Sequence, residues 1–293
     1  MSLLRSRAPA KINLTLRVIR QRPDGYHDIV SLVAFADVGD DLTLVPGGKL
    51  DLDLVGPNAG GLDDVADNLV LIAAQALDRR IKKLVLGQFK LMKYLPVGAG
   101  LGGGSADAAA ALRLLAIAND LKLDDPRVFE TTQTIGADVP VCLHSKARVM
   151  SGIGDRLSAP MRLPPLPAVI VFPGVHVATE QAFAKLDQMG VESLGRKLDD
   201  HPEVEGIPLE RHEFIAFLNT QANDLARATE SFLPIVVTVE ERLRRTSGVQ
   251  VVRMSGSGSS VFGIYESKPL AAKAAKEIRA EHPNWWVQKT NFV

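Results

Sequence analysis

Five glycines fall within the seven residues Gly98-Ala-Gly-Leu-Gly-Gly-Gly104, and Ser105-Ala-Asp-Ala-Ala-Ala follows them directly. Glycine permits positive φ and lets a ligand approach the backbone without a Cβ in the way. Successive N–H groups can then point into one concavity. An alanine-rich run is strongly helix-forming, and the start of such a helix adds unpaired N–H groups and a partial positive charge. The run from Pro96 through Val97, Gly98, Ala99, Gly100, Leu101, Gly102, Gly103, Gly104 and Ser105 to Ala106 therefore reads as a cradle for phosphates. The plainer reading is a flexible loop with Ser105 capping the helix, but five glycines exceed what a cap requires.

Two other phosphate motifs fit less well. A Walker-type loop ends in Gly-Lys-Ser/Thr, whereas Gly104 is followed by Ser105 with no lysine. Gly98, Gly100 and Gly103 satisfy G-x-G-x-x-G, but a dinucleotide fold also needs an acidic residue ending the next strand about twenty positions on. Asp120 and Asp124 near that distance follow one helix and precede another.

Hydrophobic spacing sets the frame around the loop. Ile12, Leu14, Leu16 and Val18 alternate with polar residues, as do Leu50, Leu52 and Leu54, and both read as strands. Leu69, Ile72, Ala73, Ala76 and Leu77 recur at helical spacing behind a cap at Asp67 or Asn68. Phe89 and Leu91 mark a strand that Pro96 ends, and Asp125-Pro126 opens a short helix. Four prolines between Leu157 and Pro167 interrupt regular structure and suggest a boundary, giving domains 1–158 and 159–293. Beyond it come a strand at Ala168–Phe172 and helices around Glu180–Met189, Glu210–Leu218 and Phe232–Arg245. The end reads strand, turn, strand, helix, strand, from Val249 to Thr290. The whole is an α+β pattern containing a split βαβ unit with extra helices.

A chain of 293 residues with 46% hydrophobic content can build a sizeable core. Thirty-four basic residues balance thirty-four acidic ones, so no global charge favours nucleic acid or an anionic membrane. The single cysteine, Cys142, lies in an apolar run and reads as a buried hydrophobe rather than a nucleophile. The first residues lack an apolar signal-peptide region, and Ala106–Ala118 is too short to cross a bilayer. A cytoplasmic protein acting on a small molecule, with no nucleic-acid or membrane partner, as a monomer or weak homodimer, is the expectation.

Three segments together resemble the GHMP kinases, the superfamily of galactokinase, homoserine kinase and mevalonate kinase: Pro9-Ala-Lys11-Ile-Asn13-Leu, the glycine loop, and Ser255-Gly-Ser-Gly258. Most members carry a Gly-Leu-Gly-Ser-Ser core, whereas this chain has Gly100-Leu-Gly-Gly-Gly-Ser105. That departure, with Arg22-Pro-Asp-Gly-Tyr26-His27-Asp28, Gly136-Ala-Asp138-Val-Pro-Val and Asn223-Asp224-Leu, is similar to one branch. Its members phosphorylate the 2-hydroxyl of a cytidine-diphosphate derivative of methylerythritol, in the non-mevalonate route of isoprene biosynthesis. The resemblance implies a two-lobed fold, an N-terminal ribosomal-protein-S5-like lobe and a C-terminal ferredoxin-like lobe, with the active site between them.

The same resemblance implies roles for single residues. Asp138 is the expected catalytic base, although by its own neighbours, Gly136 and Pro140, it equally suits an Asx-turn. Lys11 would hold Asp138 ionised and aim the hydroxyl, with Asn13 on the same side of the strand; a lysine at a strand end is otherwise a solvated charge. Tyr26 and His27 look like the cytidine segment, an aromatic face with an imidazole for the base edge, or else surface aromatics after an Asp24-Gly25 turn. Thr179 and Phe183, four apart, are candidates for the far wall of that pocket, and equally ordinary core positions. Gly256 and Gly258 belong to a second glycine turn, on the substrate side or a loose hairpin loop. ATP is the expected cofactor, with Mg²⁺ bridging its β- and γ-phosphates through mostly phosphate and water ligands, and Ser105 as a candidate protein ligand.

Overall fold

The computed structural model describes residues 2–61, 67–190 and 206–293. In chain order the elements begin with β1 (Leu4–Asn13), β2 (Arg17–Gln21), β3 (His27–Pro46) and β4 (Asp51–Val55). Then come α1 (Leu69–Arg80), β5 (Gly87–Met92), α2 (Gly103–Ala118), α3 (Pro126–Ile135) and α4 (Val139–His144). β6 (Arg148–Gly152), β7 (Arg156–Leu157), β8 (Leu166–Phe172), α5 (Thr179–Met189), α6 (Arg211–Thr220) and α7 (Ala226–Phe232) follow. The chain closes with α8 (Ile235–Arg244), β9 (Val249–Met254), β10 (Val261–Tyr265), α9 (Lys268–Glu281) and β11 (Trp286–Phe292). The class is α+β, as the spacing of apolar residues predicts.

The chain forms two compact units, each drawn from several stretches. The first comprises Met1–Lys11, Val38–Val97 and Gly102–Ser145. Within it β5 lies between the second half of β3, antiparallel from Asp41↔Met92 to Pro46↔Gly87, and β4, parallel from Asp51↔Gln88. Helices α1, α2, α3 and α4 pack on one another. Helix α2 is buried on nearly every side, from Ala106 through Leu112 and again at Leu114–Ala116. Its alanines are what permit such close approach: a small side chain lets neighbouring helices touch backbone to backbone while still excluding water. Asn68 caps α1 by accepting from the Val70 N–H at 2.9 Å, and Asp125 caps α3 from the Arg127 N–H at 2.9 Å with Pro126 in the first turn.

The second unit comprises Ile12–Asp37, Gly98–Leu101 and Lys146–Val293. Its sheet places β8 between β11 and β10, with β9 beyond β10, every pair antiparallel. β8 is buried at all seven positions, which is why its sequence is a continuous apolar run without alternation. Helix α9 packs on β8 and β11, and α8 on β9 and β10. The first half of β3 pairs with β2 and with β6.

Two expectations about elements need correction, and one plainer alternative falls. The alternation from Ile12 to Val18 is not one strand: β1 ends at Asn13 and β2 starts at Arg17, and the Leu16 N–H turns to the Ala222 carbonyl at 3.0 Å. The helix expected at Phe232–Arg245 starts later, at Ile235: Phe232 ends α7, and Pro234, which lacks the N–H to continue it, stands at the N-cap of α8. Ser105 does not cap α2. The cap is Gly102, at φ 61° and ψ 24°, and it offers no side-chain acceptor.

Candidate active site

The glycine loop adopts a regular pattern. Gly98, Gly100 and Gly102 take φ of 65°, 74° and 61°, every second residue in the left-handed region. Alternation of left-handed glycines with ordinary residues turns successive N–H groups toward one side, the geometry of an anion nest. The first intrahelical bond of α2 runs from the Ala106 N–H to the Gly102 carbonyl at 2.8 Å, and no side chain caps the preceding N–H groups. Those donors stay available to an anion because the cap is a glycine. Pro96 and Val97 lead into the loop half-buried, while Ala99 and Leu101 anchor it as buried side chains. Gly104 is exposed, and Ser105 lies half-buried in the first turn of α2.

Within the first unit, the Lys11 ammonium meets Asp138 Oδ2 at 2.8 Å. The lysine side chain is 5% exposed and the aspartate 31%, so the pair is enclosed at the cation and open at the carboxylate. Asp138 stands at the N-cap of α4 yet makes no side-chain capping bond. An Asx-turn needs the N–H two residues on, and that residue is Pro140, which has none. The carboxylate is thereby left to Lys11. Gly102 lies against the same lysine: a Cβ there would sit 3.1 Å from Lys11 Cβ and 3.3 Å from Cε.

A second charged cluster lies beside the start of α2 in the same unit, and sequence reasoning missed it. Lys93 Nζ donates to Asp40 Oδ2 at 2.5 Å and Asp107 Oδ2 at 2.6 Å, with all three side chains at most 4% exposed. Asp40 Oδ1 also accepts the N–H groups of Tyr94 and Leu95, fixing the segment that leads into the loop. A Cβ on Gly103 would stand 3.2 Å from Lys93 Nζ. Burial pushes the Asp107 carboxyl up to about 7 against the pull of Lys93, and among the described residues its Oδ1 has no hydrogen-bond partner. The one sequence signal was an aspartate on the inner face of an alanine helix.

The remaining residues belong to the second unit. The turn Ser255–Ser260 is buried throughout rather than a loose loop. Ser260 N–H donates to the Ala99 carbonyl at 3.2 Å, and a Cβ on Gly100 would meet the Gly258 carbonyl oxygen at 2.4 Å, so these two glycine segments touch backbone to backbone. Asn223 holds the turn by donating to the carbonyls of Met254 at 2.9 Å and Gly256 at 2.7 Å. Asn13 is buried; its amide donates to Ser31 Oγ at 2.7 Å, and Gly256 lies beside its Oδ1. Thr179 opens α5 with its Oγ1 3.1 Å from Ser257 Oγ.

The Arg22–Tyr26 turn exists, closed by Gly25 at φ 85°, and Tyr26 stands 61% exposed at its end. His27 is buried instead. Phe183 stacks on its imidazole, with centroids 4.6 Å apart and planes 22° apart. His27 Nε2 meets Asp187 Oδ1 at 2.8 Å, and Gln21 donates to Asp187 Oδ2 at 3.1 Å. Gln21 and Asp187 were missed, although Asp187 follows Phe183 by four residues, just as Phe183 follows Thr179.

Among the described residues no group of three or more His, Cys, Asp or Glu is gathered as a metal site, and no helix is long and apolar enough to cross a membrane.

Comparison with known proteins agrees with this geometry. The GHMP kinase N-terminal domain model matches residues 68–146 and the GHMP kinase C-terminal model residues 212–284. A 4-diphosphocytidyl-2-C-methyl-D-erythritol kinase of Rhodopseudomonas palustris is 51% identical, across 97% of this chain and 95% of its own length. One from Methylorubrum extorquens is 47% identical across the whole of both chains. The crystal structure of a 4-(cytidine 5'-diphospho)-2C-methyl-D-erythritol kinase superposes with a TM-score of 0.78 at 32% identity, covering 99% of each chain. Homoserine kinase from Cytophaga hutchinsonii shares the fold, at a TM-score of 0.70 and 20% identity over 99% of this chain and 96% of its own. The chain belongs to the GHMP kinase family, in the branch of the 4-diphosphocytidyl-2-C-methyl-D-erythritol kinases.

Proposed function

We propose that this chain transfers the γ-phosphoryl group of ATP to the 2-hydroxyl of 4-diphosphocytidyl-2-C-methyl-D-erythritol, a step of non-mevalonate isoprenoid precursor synthesis. The observation that carries the reading is the Lys11–Asp138 pair at 2.8 Å, with its carboxylate open and with Gly102, at the start of α2, against the lysine stem. The nest of Gly98, Gly100 and Gly102 and the uncapped start of α2 bind the phosphates. In a loose phosphoryl-transfer transition state the acceptor proton leaves late, so Asp138 mainly orients the hydroxyl and takes its proton as the new bond forms. Lys11 keeps that carboxylate charged and fixes its direction.

Tyr26, His27 and Phe183 hold the cytidine, with Thr179, Asn13 and the turn at Gly256 and Gly258 lining the acceptor side. Mg²⁺ supplies charge neutralisation across the β- and γ-phosphates when bound. In this reading the ion is held largely by phosphate and water, with the Ser105 hydroxyl in the first turn of α2 as its protein ligand. The division into domains 1–158 and 159–293 belongs to this reading, with one family model matching on either side of the cut. So do a cytoplasmic location, a monomer or weak homodimer, and the absence of a nucleic-acid partner, in keeping with the balanced charge.

The test is a coupled ADP-release assay with Mg-ATP over the cytidine-diphosphate substrate, mevalonate, homoserine and galactose. Turnover of the first, with the others at least about a hundredfold slower in kcat/KM, is expected, because a missing buried partner is heavily penalised. Equal turnover of mevalonate would sink the assignment. ATP binding without turnover of any alcohol would point to a nucleotide-binding regulator.

A further inference from the structure

We propose that Asp187, braced by Gln21, sets which ring nitrogen of His27 carries the proton and thereby makes the base pocket select cytosine over uracil. The inference rests on the reading of His27 as a base contact.

The geometry comes from three elements, β2, the first half of β3 and α5, all in the second unit. Gln21 at the end of β2 and His27 at the start of β3 are directly paired in the antiparallel ladder, so their side chains share a face. Helix α5 presents Thr179, Phe183 and Asp187 at successive turns. Phe183 fixes the plane of the imidazole at 4.6 Å, and Asp187 Oδ1 fixes its edge at 2.8 Å from Nε2. The second carboxylate oxygen, Oδ2, is held by the Gln21 amide at 3.1 Å, so Asp187 cannot swing away without losing a partner.

An ionised carboxylate only accepts hydrogen bonds, so the nitrogen facing it must carry the hydrogen. In the neutral ring the other nitrogen, Nδ1, then presents a lone pair, and Nδ1 has no hydrogen-bond partner among the described residues. Cytosine offers an amino donor at the position where uracil offers a carbonyl acceptor. A lone pair at Nδ1 accepts from the cytosine amino group and repels the uracil oxygen. With the opposite tautomer, Nδ1–H would favour uracil. Asp187 touches neither base nor reacting atoms in this scheme; it acts through His27 as a positioning residue.

The experiment measures dissociation constants for CDP and UDP at pH 8 on the wild type, Asp187→Asn, Asp187→Glu and His27→Ala, and records the imidazole ¹⁵N shifts of His27 in the ligand-free protein. The wild type is expected to bind CDP about ten- to a hundredfold more tightly than UDP, the scale of one mismatched base-edge contact. Asp187→Asn, whose amide can donate as well as accept, should lose about tenfold of that preference, and Asp187→Glu should keep most of it. In turnover the loss should appear in KM for the cytidine substrate more than in kcat. The ¹⁵N pattern should report Nε2–H in the wild type and a shift toward Nδ1–H in Asp187→Asn. A wild-type ring protonated at Nδ1, or a CDP/UDP ratio that Asp187→Asn leaves within twofold while His27→Ala abolishes it, overturns the role of Asp187. A His27→Ala variant that binds CDP as the wild type does overturns the base-pocket reading itself.

Discussion

Two lysine–aspartate contacts in the same compact unit look alike by distance and differ in everything else. Lys11 meets one carboxylate at 2.8 Å, and that carboxylate is 31% exposed. Lys93 meets two at 2.5 and 2.6 Å, and none of its group exceeds 4% exposure. The first has one open oxygen-bearing side, which a hydroxyl can reach. The second has one cation for two carboxylates in a closed space, so it can only hold structure, and one carboxyl is driven up to about 7 by burial. Exposure and stoichiometry, not length of the ion pair, separate a group placed for chemistry from one placed under it. The comparison predicts that variants at the open pair lose rate and keep stability, while variants at the closed cluster do the reverse.

The largest effect should come from Asp138→Asn. It preserves size and removes the charge and proton acceptor, and kcat should fall by about two to four orders of magnitude, the scale of a positioned general base. Mg-ATP affinity should change little, since the cradle is built of backbone groups. Lys11→Met should also lower kcat, and the double variant should lose less than the two losses combined, because residues acting as a unit are not additive. Single-turnover transfer at saturating Mg-ATP measures all three; an Asp138→Asn rate within about threefold of wild type, under 1 kcal/mol of barrier, would remove Asp138 as the base.

The mirror-image experiment is Lys93→Met. It strands Asp40 and Asp107 without their cation, and breaking a buried pair costs about 3–5 kcal/mol. Urea unfolding should show that loss, whereas Lys11→Met leaves behind a carboxylate that water can reach and should cost clearly less. Comparable midpoints for the two variants would erase the distinction between the clusters.

How much of this could be read from residues alone differs between the same two clusters. Lys11 and Asp138 each lie in a short, chemically unusual segment, although the neighbours of Asp138 left an Asx-turn open until the structure showed its carboxylate on Lys11. The Lys93 cluster joins Asp40 on a strand, Lys93 beyond another and Asp107 on a helix, and no local period links positions so far apart in sequence. The α5 stripe was half-legible: spacing paired Thr179 with Phe183 but stopped one turn short of Asp187. Strand β3 was invisible because residues Ile29–Ala36 are a nearly unbroken apolar run, which has no strand period to detect. Helix α2, the loop ahead of it and the hairpin β9–β10 were legible, because glycine and alanine declare backbone geometry directly.

Gly102→Ala probes the seam between loop and lysine. The left-handed conformation costs a residue with a Cβ about 1–2 kcal/mol, and that Cβ would press on Lys11 at 3.1 and 3.3 Å. Thermal unfolding should register the strain. Because the displaced group is the lysine proposed to orient Asp138, kcat should fall as well, by about tenfold, where Ala at an exposed, uncrowded glycine such as Gly48 would affect stability alone. An unchanged kcat would mean that the lysine stem yields without moving its ammonium.

The smallest effect concerns the pH dependence of the closed cluster, and its sign follows from burial. Asp107 has its folded pKa raised to about 7 from an ordinary 3.8, with desolvation the leading cause and Lys93 opposing it. Between those values the native state binds more protons than the unfolded chain, so this carboxyl makes stability fall as pH rises through the window and level off above it. Asp107→Asn removes the titration and leaves Lys93 with Asp40. The variant's stability relative to wild type should therefore improve from pH 5 to pH 8; the contact with Lys93 that the variant gives up costs the same at each pH and drops out of the slope. Groups common to both proteins cancel in the difference, so paired urea titrations at pH 5, 6.5 and 8 isolate the one carboxyl. A difference that stays flat across that range would mean Asp107 is ionised throughout. Lys93 would then outweigh burial, the cluster would carry a net negative charge beside the start of α2, and its contrast with the open pair would rest on enclosure rather than on a shared proton.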